Sequence, residues 1–514
     1  MSMVKKRRNW IILALFVICV GVSLSILNAP PINDAPFLGD DFLALQAHID
    51  GNYASDYQES LRNTSSDKWR PVNTLLMRPL LSSFGDSYRI FYFFSTVLLA
   101  VALFAFWVTH KIIKCQSDPT PTWVALLGVL VIGSSPFTFF ARSGVYGLLE
   151  IGPIILCLCS FSFYQRGRMR ESRRLVVYSS LIALTAGLIH ERFFMFSIAL
   201  AVIIAWQART LIRWRGLWLA PFANIVFYFY SAVVVLNTNV LRGGAGPEST
   251  FNEAAGPWII HRFVFASLSL LGGSGGDTIL FDSAQPVQFR SGLGFDDNYS
   301  LLALLVIAIS LLPFFWAFLH RRTRNYLPNT ERQCISGRFV ESIVVAFFLL
   351  IPAATVAVQI EARWLFAPLV FLVLALTSLP SSSNLLMKVG LAAFLGLTVM
   401  LNCISMTRYQ DFDFWRVRAE KVLNAVQSNE PKAGSWNVAI VWPDSRDNNV
   451  VTVWALGNGE VLRNLNNGPG LILFGTRERI LECPNPCLVV EVTDNGNPDI
   501  RDTSFQTIQT RWKN

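Results

Sequence analysis

The chain has 514 residues, of which 53% are hydrophobic and only 15% are charged. Soluble domains carry about 25% charged residues, so this composition excludes an ordinary soluble globular protein. The formal net charge is +9. Because the basic residues are concentrated in short segments between apolar stretches, this charge is poor evidence for nucleic-acid binding.

Apolar segments that could cross a bilayer recur along most of the chain. A transmembrane helix needs roughly 17–25 apolar residues, and such a segment must be helical because lipid offers no partner to backbone polar groups. About eleven windows meet this length criterion. They are residues 10–28, 88–109, 122–138, 145–164, 174–190, 192–207, 216–237, 299–319, 339–358, 363–380 and 385–405.

Basic residues orient these windows in the membrane. The N-terminal sequence MSMVKKRRN and alternate loops are rich in Lys and Arg, which predicts that they lie in the cytoplasm. The basic loops are HKIIK (110–114), RGRMRESRR (166–174), RTLIRWR (209–215) and HRRTRNYLPNTERQCISGR (320–338). Three segments should then be extracytoplasmic: a first outer loop at 29–87, a second at 238–298, and the tail.

The residue pattern changes in the tail, residues 406–514, from long apolar windows to shorter elements with more charged residues. A helix is predicted at about 413–427, and short β-like runs follow between turn signals. These runs are WNVAIVW (436–442), VVTVWAL (450–456), LILFG (471–475) and CLVVEV (487–492). The predicted fold class is therefore mainly α: a polytopic transmembrane helical bundle of about eleven spans, residues 1–405, followed by a small extracytoplasmic α+β domain.

Two cysteines fall in the predicted extracytoplasmic part. Cys483 and Cys487 occur as CPNPC, whereas the other cysteines lie in apolar windows or in cytoplasmic loops, where thiols stay reduced. A local disulfide is predicted. A metal site is the weaker alternative because no second Cys or His pair lies nearby.

An acidic pair follows the first apolar window. Asp40 and Asp41 stand in FLGDDFLALQ, and the apolar spacing after them predicts a short interfacial helix. One aspartate could cap that helix. Capping does not explain both, since adjacent side chains point in different directions.

Two Arg-Pro pairs lie further along the first outer loop, in KWRPVNTLLMRPLL (68–81). Arg70 and Arg78 could contact lipid headgroups. Alternatively, the planar fork of donors on each arginine could bind a phosphate.

Further ionisable residues lie at the outer ends of predicted spans. IHERFF contains His190, Glu191 and Arg192, and IEARWLFAP contains Glu361 and Arg363. Ionisable residues at this depth are functional candidates. The alternative for IHERFF is a tight outer turn in which Glu191 and Arg192 pair with each other.

One carboxylate falls inside a predicted span. Arg142, Tyr146 and Glu150 recur at i, i+4 and i+8 and so share a helix face. Glu150 should therefore face protein or a water-filled cavity.

GDDF (39–42) followed by WRPVNTL (69–75) resembles the first-loop pattern of GT-C superfamily glycosyltransferases, especially their O-mannosyltransferase-like and lipid-modifying branches. The resemblance implies a polytopic enzyme that uses a sugar carried on a polyprenyl phosphate or diphosphate. It also implies that the catalytic acid lies in the first large loop, on the non-cytoplasmic side. The chain has no WWD-type signature of oligosaccharyltransferases in its tail, which argues against that branch.

The resemblance also implies roles for residues. Inverting transfer needs a carboxylate base and positive charge at the departing phosphate. Asp41 is favoured as the base, and Asp40 would orient the acceptor or hold a divalent cation; metal dependence stays open. The implied substrate-binding residues are Arg70, Arg78, His190, Glu191, Glu361 and Arg363.

The implied function is glycosyl transfer in cell-envelope glycan, glycolipid or glycoprotein synthesis. The expected location is a bacterial inner membrane. The expected partners are a lipid-linked sugar donor, membrane lipids, and an acceptor that is a glycan, a lipid or a protein; no nucleic acid is expected.

A flippase for lipid-linked sugars would favour internal repeats and broken helices, and no convincing repeat is found. An O-antigen-type polymerase or ligase usually places its main loop late in the chain. A bare membrane anchor for the tail leaves the outer charges unexplained.

Overall fold

The structure is a computed structural model of the chain. It describes residues 3–26, 70–84, 88–113, 122–135, 137–138, 147–209, 214–231, 270, 329–355, 362–378, 385–409, 414–431, 434–442, 456, 460–463, 465, 468–494 and 506–513. Contacts divide the chain into two units. The first contains residues 1–30, 52–80 and 92–406, and the second contains residues 31–51, 81–91 and 407–514.

Helices dominate the described chain up to residue 428. They are α1 (Met3–Ile26), α2 (Pro71–Phe84), α3 (Tyr88–Ile113), α4 (Thr122–Gly133), α5 (Gly147–Met169), α6 (Arg173–Ile189), α7 (Phe194–Gln207), α8 (Leu219–Phe229), α9 (Asn329–Thr355), α10 (Phe366–Thr377), α11 (Leu385–Tyr409) and α12 (Phe414–Ser428). Two short 3-10 helices, Glu191–Phe193 and Ala362–Leu365, precede α7 and α10. Each predicted window coincides with one of these helices except 299–319, which lies outside the described residues.

Two segments of the described chain are long and apolar enough to cross a membrane, Ile90–Ile113 and Gly147–Met169. Shorter apolar helices are Ile11–Leu24, Trp123–Gly133, Leu219–Phe229, Phe366–Thr377 and Val389–Met400. The number of crossings, about eleven by window length, therefore stays a prediction.

The core of the first unit lies where α5, α7 and α10 meet. The ring of Phe371 lies 5.8 Å from that of Phe161 and 5.7 Å from that of Phe196, and all three side chains are fully buried. Helix α5 carries no charged residue between Ile151 and Phe163 and is mostly buried there, as is typical of a helix enclosed by others. A three-residue connection leads from α5 to α6, and the two helices pack together.

A buried polar cluster ties together α5, α7 and α9. Glu341 of α9 is fully buried and accepts hydrogen bonds from Tyr164 Oη at 3.2 Å, Gln165 Nε2 at 2.6 Å and Gln207 Nε2 at 2.9 Å. Arg168 Nη1 forms an ion pair with the same carboxylate. We call these five residues the Glu341 cluster.

The second unit contains a four-stranded sheet of order β2-β1-β3-β4. The strands are β1 (Asn437–Trp442), β2 (Leu471–Thr476), β3 (Cys487–Asp494) and β4 (Gln506–Lys513). Strand β1 is central and pairs in parallel with β2 and β3, while β4 pairs antiparallel with β3. Two short helices, α13 (Glu460–Arg463) and α14 (Arg479–Glu482), lie in the connections.

The sheet matches three of the four predicted β runs. The fourth, 450–456, lies outside the described residues except for Leu456. The sequence did not predict β4, because this edge strand reads QTIQTRWK and has few apolar residues.

The predicted disulfide is confirmed. Cys483 and Cys487 are joined with an S–S distance of 2.06 Å. Both cysteines are buried with Ala439, Val441 and Val489 in the core on one face of the sheet. The bond therefore links the end of α14 to the start of β3.

Candidate functional site

The candidate site is built around the junction of α6 and α7. His190 ends α6 because its backbone is extended, with φ −147° and ψ 122°. The ring of Phe194, at the start of α7, lies against Gly187; a Cβ atom at Gly187 would approach this ring to 2.6 Å. Glycine therefore permits the close approach that folds this junction tightly.

Arg70 reaches the junction from the end of the first outer loop. It directly precedes Pro71, which opens α2 at the position where proline is best tolerated. Its Nε lies 2.5 Å from Glu191 Oε2, and its Nη2 lies 2.6 Å from Oε1. This two-pronged pairing fixes the plane of the guanidinium. The side chains remain 16% and 25% exposed, respectively, so the pair is accessible from outside.

His190 lies between the two charges. Its Nε2 is 3.3 Å from Arg70 Nη2, and its Nδ1 is 3.3 Å from Glu191 Oε2. Because a guanidinium only donates, Nε2 must accept, and the proton then sits on Nδ1 and faces Glu191. The backbone N–H of Arg192 also approaches Nδ1, at 3.4 Å, and competes for that nitrogen.

A second ion pair lies behind the first. Arg192 Nη2 pairs with Glu150 in the first turn of α5, and both side chains are almost fully buried. The Arg192 Cζ lies 5.0 Å from the ring centroid of Phe193 and 5.4 Å from that of Trp364. Charge pairing and these ring faces offset the cost of burying a guanidinium. The position of Glu150 agrees with the prediction that it faces protein.

Trp364 connects this junction to the helix that follows Arg363. Its ring lies edge-on to that of His190, with centroids 6.3 Å apart, and it belongs to the 3-10 helix before α10. The junction therefore brings together the beginnings of α2, α5, α7 and α10. We call Arg70, Glu150, His190, Glu191 and Arg192 the Glu191 cluster.

The electrostatics of the cluster favour an ionised Glu191. Burial by itself would raise the pKa of Glu191, but the charge of Arg70, the electrostatic interaction with His190 and the hydrogen bonds from both residues outweigh it. The pKa of Glu191 therefore lies well below its ordinary value. A carboxylate with such a low pKa is a weak base. Glu191 is accordingly suited to holding cations in place and not to removing a proton.

Three of the predicted site residues, Arg70, His190 and Glu191, thus lie together. Asp40, Asp41 and Glu361 lie outside the described residues. The backbones of Arg78 and Arg363 belong to α2 and to the 3-10 helix Ala362–Leu365, and their side chains lie outside the description.

The alternative in which Glu191 and Arg192 pair with each other is wrong. Each pairs with a residue from another element, Arg70 and Glu150 respectively. Among the described residues, no three His, Cys, Asp or Glu side chains come together as metal ligands. The predicted cation ligand, Asp40, is not among those residues.

Sequence reasoning missed two aromatic residues at the junction. Trp364 stands next to the predicted Arg363, and an aromatic residue beside an outer arginine was a usable signal. Tyr228 of α8 packs its ring 4.2 Å from that of Phe194. Nothing in the sequence around Tyr228 distinguishes it from a residue of an apolar helix.

No protein-family model matches this chain, and no curated protein matches it. Its structure is similar to that of the archaeal oligosaccharyltransferase AglB from Archaeoglobus fulgidus in complex with an inhibitory peptide and a dolichol-phosphate. That match has 11% identity and a TM-score of 0.45, and it covers 88% of this chain and 64% of the other. A second structure of the Archaeoglobus fulgidus oligosaccharyltransferase, tethered with an acceptor peptide containing the NVT sequon, gives 11% identity, a TM-score of 0.43 and coverages of 87% and 63%.

The arabinofuranosyltransferase AftD from Mycobacteria is also similar, with 13% identity, a TM-score of 0.38, and coverage of 91% of this chain and 32% of that one. By their names, these solved structures are glycosyl-transferring enzymes: two are of an oligosaccharyltransferase and one is of an arabinofuranosyltransferase. The chain spans less than two thirds of the length of each of these three. At these identities and TM-scores, the likeness does not assign this chain an activity.

Proposed function

We propose that this chain is an integral membrane glycosyltransferase. It transfers a sugar from a polyprenyl-phosphate-linked donor to an acceptor hydroxyl on the extracytoplasmic side of the membrane. The observation that carries the proposal is the pairing of Arg70 with Glu191 and His190. It fixes a partly exposed guanidinium that belongs to the same predicted outer loop, 29–87, as Asp40 and Asp41.

The departing group of a lipid-phosphate sugar is an anion. A guanidinium held in advance stabilises the charge that develops on it, and it needs no reorientation during the reaction. Glu191 orients Arg70, and its low pKa keeps it ionised for that purpose. A loose, solvated arginine would be a weaker catalyst for the same charge.

Asp41 is the proposed base. The acceptor oxygen attacks the anomeric carbon while its proton passes to the Asp41 carboxylate. The bond from that carbon to the phosphate oxygen breaks, and its electron pair stays on the phosphate. Attack from the opposite face inverts the anomeric centre. Asp40 would orient the acceptor or hold a divalent cation.

Three further residues complete the proposed site. Arg78 and Arg363 would join Arg70 in contacting the phosphate, and Glu361 would stand beside them. Trp364, next to Arg363 in the chain, contacts His190 and Arg192. This contact supports placing Arg363 near the junction.

The proposed topology has about eleven crossings by window length, a cytoplasmic N-terminus and an extracytoplasmic tail. The disulfide of Cys483 and Cys487 supports an oxidising compartment for the tail. A bacterial inner membrane fits this arrangement. The acceptor would be a glycan, a lipid or a protein.

The test is transfer of a labelled sugar from polyprenyl-phosphate donors in membranes that hold equal amounts of each variant. Asp41→Asn should abolish transfer, and Asp40→Asn should reduce it. A third variant, Arg70→Lys, tests the proposed phosphate-binding arginine. Its matched control is Arg479→Lys, because Arg479 and its partner Glu482 are both half exposed in the tail.

If both aspartate variants transfer sugar like the wild type, the acidic pair is a helix-end feature. The glycosyltransferase proposal then fails, and transport of lipid-linked sugars becomes the leading explanation.

A further inference from the structure

Asn73 carries a hydrogen-bonding atom that has no partner among the described residues. It is the third residue of α2, in the WRPVNTL segment. Its Oδ1 is buried and accepts no hydrogen bond within the described part of the chain, although the residue as a whole is only half-buried. Buried polar atoms in native proteins are nearly always paired, so such an exception requires an explanation.

The position of Asn73 in the chain suggests why its Oδ1 is unpaired. Asn73 lies in the first turn of α2, three residues after Arg70, whose guanidinium is fixed by Glu191. The unpaired Oδ1 is therefore close in the chain to the proposed phosphate-binding arginine.

The chemistry of the amide indicates what it would bind. A side-chain amide offers an acceptor and a donor together. A phosphodiester oxygen can only accept, so it cannot satisfy Oδ1. A hydroxyl group both donates and accepts, and a sugar phosphate presents hydroxyls next to its phosphate.

We propose that Asn73 binds a hydroxyl of the sugar whose phosphate is held by Arg70, and that it is a specificity-determining residue of the site. This inference rests on the proposed function, because it assigns Arg70 to the phosphate of a lipid-linked sugar. It adds a residue that distinguishes the sugar from the lipid phosphate that carries it.

A purely structural role for Asn73 predicts a different result. An asparagine that stabilises the fold does so through hydrogen bonds, and its loss lowers stability. Replacing Asn73 by leucine, which has a similar size, removes the unsatisfied Oδ1. Such a change is neutral or stabilising, so Asn73→Leu should weaken binding without lowering stability.

The experiment measures equilibrium binding of two kinds of lipid to the purified full-length protein in nanodiscs. The sugar-bearing probes are decaprenyl-phosphoryl mannose, glucose, galactose and arabinofuranose. The reference probe is methyl decaprenyl phosphate, a phosphodiester of the same charge without a sugar. The variants are Asn73→Leu, Arg70→Lys and, as a control on the exposed side of α2, Ser83→Ala.

Asn73→Leu should weaken binding of the preferred sugar lipid by about ten-fold, the effect of one lost hydrogen bond. Its affinity for the methyl ester and its thermal stability should not fall. Arg70→Lys should weaken both lipids together, and Ser83→Ala should change neither.

The inference is overturned if Asn73→Leu weakens both lipids equally or leaves both unchanged. It also fails if the variant lowers thermal stability in step with binding. Failure of the proposed function looks different, because the wild type would then bind neither kind of lipid, or Arg70→Lys would leave both affinities unchanged.

Discussion

The Glu341 cluster and the Glu191 cluster contain similar residues but differ in how completely they are enclosed. In the first, a single carboxylate with no exposed surface receives hydrogen bonds from Tyr164, Gln165, Arg168 and Gln207. In the second, the Glu191 side chain is 25% exposed, whereas the arginines that pair with the two carboxylates, Arg168 and Arg70, are similarly exposed, at 14% and 16%. An enclosed, fully paired carboxylate stabilises the fold, whereas an exposed and oriented pair can also meet a ligand.

Helix α5 takes part in both clusters, so the difference does not arise from the helix. It contributes Glu150 at its beginning and Arg168 at its end. The two clusters differ in the residues that pair with their carboxylates. The Glu341 cluster recruits uncharged donors from two helices, while the Glu191 cluster contains two cations and lies beside the end of a long loop.

The largest expected effect is loss of folding when Glu341 is removed. Glu341→Leu leaves the largely enclosed Arg168 without its counter-charge and the buried Tyr164 and Gln165 without their acceptor, which costs about 3–5 kcal/mol of unfolding free energy. Thermal unfolding and yield of folded protein measure this loss. Glu482→Leu, at an exposed position, should change the unfolding free energy by less than about 0.5 kcal/mol. Equal effects of the two substitutions would show that the Glu341 cluster is not structural.

Glu150→Gln tests whether the buried half of the Glu191 cluster behaves like the Glu341 cluster. We expect a cost near 3 kcal/mol, at the lower end of the range for a broken buried pair. The rings of Phe193 and Trp364 still face Arg192, and the new amide can accept a hydrogen bond from it. Chemical denaturation measures the cost. An unchanged midpoint would contradict a supporting role for this pair.

Arg70→Lys should separate activity from stability. Lysine is a point charge that cannot make the two-pronged pairing with Glu191, so transfer should fall by about 100-fold, equivalent to about 2.7 kcal/mol. Because the pair is partly exposed, the unfolding free energy should fall by less than about 1 kcal/mol. Transfer assays and thermal unfolding of the same preparation measure the two effects. Parallel loss of both would place Arg70 with the structural residues.

The smallest expected effect is the pH dependence of the Glu191 pairing. Because Arg70 lowers the pKa of Glu191 in the folded protein, the unfolded chain binds the proton more readily, and the pairing stabilises the protein above the unfolded pKa of about 4.3. The difference in stability between wild type and Glu191→Gln should be constant from about pH 6 to pH 8. It should shrink as the pH falls below about 4. A loss near pH 6 would indicate a different titrating group.

The sequence predicted the local elements well. The apolar windows predicted α1 and α3 to α11, including α6 and α7, whose windows are short and share one boundary, whereas α2 lies in the predicted outer loop and had no window. The β runs gave β1, β2 and β3 to within about two residues, as far as boundaries can be set from a pattern. These elements follow from hydrophobic periodicity and turn residues, which are local properties.

Pairings between distant segments could not be predicted in the same way. Arg70 and Glu191 are separated by 121 positions, and no local rule links them. The sequence marked both as candidates because charges at span ends are costly. It could not determine that Glu191 prefers Arg70 to its neighbour Arg192. Glu341 is likewise a carboxylate within an apolar window, 339–358. The sequence did not single it out, because the residues that donate hydrogen bonds to it lie on other helices.

The two ion pairs of α5 lie near opposite ends of the helix, at a defined distance from each other. Glu150 and Arg168 are separated by about 27 Å along the helix axis, and the residues between them carry no charge from Ile151 to Phe163. This distance is close to the hydrocarbon thickness of a thin bilayer, and it cannot be stretched without breaking the pairs. Thicker lipid would have to thin locally or draw charged helix ends into hydrocarbon. In the membrane topology proposed above, changing the acyl-chain length of reconstituted bilayers would therefore stress both clusters at once without altering a residue.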